Sequence, residues 1–165
     1  MKAVTKEMIK IYKPLDLDWM NYRVTRQNPI TYHHIIKKEH GGLYTFENGA
    51  LLTMTGHQYL HIIECKEIKL YYMLNKMFEI INKQRHAPTQ EQREIVEYLL
   101  NEFYQLHKND KTSKGKTLIK HDFIQRFWGY SIGNGLFFCA KNYTSIKFIL
   151  DKYYQKWYNN SNKGR

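Results

Sequence analysis

The sequence predicts an α+β fold, a small two-stranded hairpin and helix embedded in a mainly helical domain. Three observations predict it. Two short β-branched or apolar runs follow Asn28-Pro29 and Asn48-Gly49, each pair a turn signal. From about Thr55 onward, apolar residues recur at three- and four-residue intervals, the spacing of an amphipathic helix. Hydrophobic residues make up 42% of the 165 and aromatics 15%, enough for a core and too many for composition-driven disorder.

Residues 1–30 read as a basic N-terminal extension, with six Lys/Arg against three acids. Thr31–Ile36 reads as a strand, because Thr, Tyr and two Ile surround a histidine pair. Gly41-Gly42 then makes a turn, and Ala50-Leu51-Leu52 supplies the partner strand. Tyr59, Ile62, Ile63, Leu70, Met73, Leu74, Met77, Phe78 and Ile81 continue as one extended helix until Arg85-His86-Ala87-Pro88, so the core unit spans 31–84. Thr89-x-x-Gln92 is a capping box that opens an amphipathic helix within 85–109. Residues 110–165 form a basic, aromatic-rich C-terminal region. It begins with a polar linker or exposed loop, its glycines at 129–135 exclude a regular helix there, and a last helix is expected from about Thr144 to Trp157.

Charge narrows the function. Lys and Arg number 26 against 15 acids, a net +11, and residues 110–165 alone hold eleven Lys/Arg against three Asp. A field of that sign attracts polyanions, meaning nucleic acid or an anionic membrane surface. Lys111, Lys114 and Lys116 in the linker, and Arg26, Lys37 and Lys38 beside the histidines, are the expected phosphate contacts. No apolar run approaches the roughly 20 residues of a spanning helix, and residues 1–12 lack the apolar stretch of a signal peptide. Cys65 and Cys139 are too few for a disulfide framework or a Cys-x-x-Cys zinc module. The expectation is a reduced protein of the bacterial or phage-infected cytoplasm, with no membrane partner and no small-molecule organic cofactor.

Five of the eight histidines fall between positions 33 and 61, in a nearly neutral stretch. His57 and His61 stand four apart at the start of the predicted helix, so both rings share one face and can share a metal ion. His33 and His34 are neighbours on a strand and point to opposite faces. One can join the metal while the other faces a substrate. Asn48 sits in the turn before the second strand, where its amide oxygen is placed to hold an imidazole. Phosphodiester hydrolysis needs such parts: a base for water, a cation for the developing charge, and a group that fixes the base.

At these residues the sequence resembles the HNH nucleases, the ββα-metal family. The matching stretches are Thr31-Tyr-His-His-Ile-Ile, Gly41-Gly42, Glu47-Asn-Gly-Ala-Leu-Leu and Gly56-His-Gln-Tyr-Leu-His61, all within about residues 28–64. The order His-His, Asn, His-x-x-x-His is similar to that of the colicin-type DNases. The resemblance implies a hairpin and helix clasping one divalent ion at the scissile phosphate of DNA. It implies His33, His57 and His61 as metal ligands, His34 as the general base and Asn48 as the residue that orients it. An all-histidine set favours Zn²⁺ or Ni²⁺ by affinity, with Mg²⁺ or Mn²⁺ as alternative working ions. The chain lacks the paired Cys-x-x-Cys motifs by which many relatives bind a second, structural zinc. The function implied is a metal-dependent DNA endonuclease; a phage-borne or mobile-element nuclease, a restriction component and a toxin are all settings compatible with the sequence. The rival is a catalytically degenerate HNH-derived module that binds nucleic acid or a protein without cutting.

Overall fold

A computed structural model describes residues 1–13, 15–120 and Phe123. The chain divides into two compact units, Met1–Val96 and Glu97–Arg165. The expectations for residues 129–135, for the last helix and for Cys139 lie outside the described residues.

The first unit is mixed α+β. Helix α1 (Ala3–Ile11) precedes strand β1 (Ile30–His34), a short 3-10 turn at Lys38–His40, strand β2 (Gly49–Thr53), helix α2 (Met54–Lys66) and helix α3 (Ile68–Gln84). The strands pair antiparallel, with Ile30 opposite Thr53, His33 opposite Ala50 and His34 opposite Gly49. Every residue of β2 is buried, and α1, α2 and α3 all pack on this strand.

Residues 1–30 are not a peripheral extension. Met8, Tyr12, Trp19, Met20 and Tyr22 are all in the core, the large apolar side chains of this stretch being too costly to leave in water. The Tyr12 hydroxyl donates to the Asn82 carbonyl at 2.8 Å, tying the end of α1 to α3.

The extended helix is also not continuous. Glu67 leaves the helical backbone region (φ −138°, ψ 76°) and separates α2 from α3, which pack against each other. Both segments contribute to the core: Tyr59, Leu60 and Ile63 from α2, then Tyr71, Leu74, Met77, Phe78 and Ile81 from α3. With the break, α3 reaches the hairpin, where the Asn82 amide donates to the carbonyls of Phe46 at 2.6 Å and Gly49 at 3.0 Å.

Helix α4 (Gln90–His107) opens with the predicted capping box. Thr89 Oγ1 accepts from the Gln92 amide N–H at 3.2 Å, and Gln92 Oε1 accepts from the Thr89 N–H at 2.9 Å. In the second unit Leu99, Leu100, Phe103, Ile119 and Phe123 are buried. The stretch expected as a linker or exposed loop is an exposed, closed turn. Lys111 and Thr117 form an antiparallel bridge, the Thr112 N–H donates to the Lys116 carbonyl at 2.7 Å, and Gly115 supplies the positive φ of +74°. Lys111, Lys114 and Lys116 are exposed on it. Among the described residues no helix is long and apolar enough to cross a membrane.

Candidate functional site

Strand alternation sorts the histidine pair onto opposite faces of β1. Thr31 and His33 face α2 and α3. His33 is 3% exposed, and its ring meets that of His57 edge-on at 5.2 Å and that of Phe78 at 6.1 Å. Its Nδ1 stands 3.4 Å from His57 Nε2, and its Nε2 lies 2.8 Å from Asn75 Oδ1 on α3. His57 Nδ1 lies 3.1 Å from Thr31 Oγ1.

Helix α2 is held in place by a dense set of bonds at its first turn. The side chain of its N-cap, Thr53, accepts from the Gly56 N–H at 3.0 Å. That hydroxyl and the Thr53 N–H both donate to Asp18 Oδ2, at 2.7 and 2.6 Å. Asp18 is fully buried and also accepts from the N–H groups of Met20 and Tyr22. Burial pushes its carboxyl above the ordinary carboxylate range, while the bonds from Thr53, Tyr22 and Met20 pull the other way. A side chain at Gly56 would place a Cβ 2.5 Å from Asp18 Oδ2, so this close approach demands glycine. Asp18 thereby joins the N-terminal segment, β2 and the helix that carries His57.

His61 lies one turn beyond His57, with its ring stacked on that of His57 at 5.0 Å. Its side chain is 56% exposed, and Nδ1 faces Glu64 Oε2 at 3.3 Å. Glu64 also pairs with Lys37. Two of the three expected ligands therefore converge, and His61 flanks them. Among the described residues no group of three or more His, Cys, Asp or Glu is gathered as a finished metal cage.

The donor set nevertheless suits a divalent ion. Metal binding requires neutral imidazoles, and burial, followed by its like-charged neighbours, pushes His33 down to about 3 despite the opposing bond to Asn75. His57 is lowered by burial and then by His61 and His34. Two nitrogens sharing a tetrahedral ion at about 2.0–2.1 Å stand about 3.4 Å apart, the His33–His57 separation found.

On the other face of β1, Tyr32 and His34 pack together, rings edge-on at 4.8 Å, with Tyr44 at 5.7 Å from His34. His34 Nε2 is enclosed and has no hydrogen-bond partner among the described residues. Burial, then Lys38 and Lys2, lower the pKa of the ring and keep it neutral near pH 7. Lys2 Nζ sits 4.1 Å from the Tyr44 ring centroid, so the N-terminus adds a cation here.

Asn48 does not hold an imidazole. Its Oδ1 accepts from the Ile36 N–H at 2.7 Å, while Nδ2 donates to the carbonyls of Ile36 at 2.9 Å and Leu43 at 3.0 Å. The amide thus clamps both ends of the loop between the strands, and any hold on His34 runs through the backbone. Gly42 makes this possible, since a Cβ there would lie 1.7 Å from the Ile36 oxygen.

Of the expected phosphate contacts near the site, Arg26 and Lys38 are exposed. Lys37 is engaged by Glu64 and Glu39, and the bond to Glu64 raises it to about 12. Sequence reasoning missed Thr31, Asn75, Asp18, Tyr44 and Lys2. Thr31 was within reach of it, two residues before His33 and on the same face; the others become neighbours only through the tertiary fold.

Compared with protein-family models, with curated proteins and with solved structures, the chain matches none.

Proposed function

We propose that this protein is a metal-dependent DNA endonuclease of the HNH kind. One observation carries the reading: two neutral imidazoles, the buried His33 from a hairpin strand and the half-buried His57 from the following helix, aim ring nitrogens at each other 3.4 Å apart. A lone pair of hydrogen-bonding histidines has no need of that convergence on the strand that also carries an unpartnered third.

His33, His57 and His61 would hold a divalent ion, which when bound supplies charge stabilisation at a phosphate oxygen. His34, on the opposite strand face, acts as general base. Its Nε2 is enclosed, which leaves Nδ1 to take the proton of the attacking water. The water oxygen forms a new bond to phosphorus as the bond to the leaving sugar oxygen breaks. Asn48 and Gly42 keep the loop beside His34 in one shape, which fixes the base relative to the ligands. Lys38 and Lys2 lie close enough to bias the His34 site towards anions.

The alternative, a module that binds without cutting, draws on the exposed His61 and its contact with Glu64. Nicking of supercoiled plasmid with and without chelator separates the two. Cleavage that stops with chelator and returns with Zn²⁺, Ni²⁺, Mg²⁺ or Mn²⁺ supports the nuclease; DNA binding with no cleavage under any of these ions supports the module.

A further inference from the structure

We propose that Asn75 and Thr31 are positioning residues of the metal centre: each fixes the tautomer of one ligand imidazole, so that both lone pairs meet at one point. The inference rests on reading His33 and His57 as ligands, and through Asn75 it assigns part of this work to α3, an element beyond the hairpin-helix stretch that carries the resemblance.

The assignment follows from donor bookkeeping. Asn75 Nδ2 donates to the Tyr71 carbonyl at 3.0 Å, which turns Oδ1 towards His33. An amide oxygen only accepts, so His33 Nε2 must carry the proton and Nδ1 the lone pair. Thr31 has a single hydroxyl proton, spent on the Leu52 carbonyl at 2.9 Å. Towards His57 its oxygen therefore accepts, so His57 Nδ1 carries the proton and Nε2 the lone pair. The atoms left facing each other are His33 Nδ1 and His57 Nε2, 3.4 Å apart.

Two lone pairs at that distance repel unless a positive charge lies between them. Neither residue can relieve the repulsion by switching tautomer without breaking its bond to Asn75 or Thr31. The folded chain thus holds an arrangement that a cation improves. Hydrogen-bond partners of this sort typically change metal affinity by about 10–100-fold when removed.

The test uses the full chain. In the metal-free parent, imidazole ¹⁵N shifts at neutral pH should place the proton on Nε2 of His33 and on Nδ1 of His57. The opposite tautomer at either ring overturns the proposal, and this measurement needs no variant to fold. Zn²⁺ affinity is then measured by competition with a chromophoric chelator. Asn75→Leu and Thr31→Val should bind about 10–100-fold more weakly, whereas Asn75→Asp and Thr31→Ser, which keep an acceptor, should stay near the parent. Parent-like affinity in folded Asn75→Leu and Thr31→Val overturns the role of these residues alone. A parent that takes up no Zn²⁺ overturns the metal-centre reading and the proposal with it.

Discussion

The two faces of β1 are built on opposite principles. On the face of Thr31 and His33, each ring nitrogen has a neighbour: Asn75 and His57 for His33, with Thr31 and His33 for His57. On the face of Tyr32 and His34, packing is aromatic and His34 Nε2 has no partner among the described residues. Saturated hydrogen bonding fixes a side chain, whereas packing that encloses His34 Nε2 leaves Nδ1 as the nitrogen for the proposed proton transfer. On the proposed reading the first face would hold the ion and the second would react, and adjacent residues of one strand can serve both because side chains alternate.

The sharpest way to break this comparison is to remove the reacting side chain. His34→Ala should retain metal and DNA binding while cleavage falls by about 10²–10⁴-fold, the usual cost of losing a general base. Near-parent cleavage would end the distinction between the faces.

Removing a holding side chain should do the reverse damage. His57→Ala should lose most Zn²⁺ uptake, and its melting temperature should rise little with added Zn²⁺, whereas the parent should be stabilised by bound ion. Equal stabilisation of both would place the ion elsewhere.

The hairpin, the helix carrying His57 and the capping box at Thr89 and Gln92 were legible because each is written in local spacing. The opposite facing of His33 and His34 followed from strand periodicity alone. The break at Glu67 was hidden because apolar spacing runs through it without interruption; only the backbone of Glu67, at φ −138° and ψ 76°, marks it. Asn75 and Asp18 act across 42 and 35 residues of chain through hydrogen bonds, which leave no period to read. Asn48 was picked out by its place between the strands, yet its bonds go to backbone, which side-chain spacing cannot reveal.

Acid should sharpen the comparison further. The folded-state pKa of His33 is about 3, below the ordinary value of 6.5, so the unfolded chain binds a proton that the folded chain refuses. Stability of the metal-free protein should therefore be highest above about pH 6.5 and fall as pH drops towards 3. With about 1.4 kcal/mol per unit, the loss is on the order of 3–5 kcal/mol. Denaturant melts at several pH values should show a flatter decline in His33→Phe; an identical decline would locate the acid sensitivity outside this face.

Asp18→Asn should cost about 3 kcal/mol, because the new amide group points donors at donors. Urea unfolding measures it, and Zn²⁺ affinity should weaken as α2 loosens. A neutral substitution would mean that Asp18 does not set the position of His57.

The smallest expected effect lies outside the site. Lys111→Glu, Lys114→Glu and Lys116→Glu together should weaken DNA binding and flatten its salt dependence. The slope of log affinity against log salt should fall by about 0.9 for each phosphate no longer neutralised. Metal content and base preference should not change, since phosphate contacts position a protein without reading bases. Equal slopes in parent and variant would make these lysines ordinary surface charge.

The most direct measurement of the account pairs metal content with nicking of supercoiled DNA for the parent, His34→Ala and His57→Ala. The parent should hold metal and cut, His34→Ala should hold metal without cutting, and His57→Ala should do neither. A parent that holds no metal, or cutting by the parent that survives complete chelation, would contradict it.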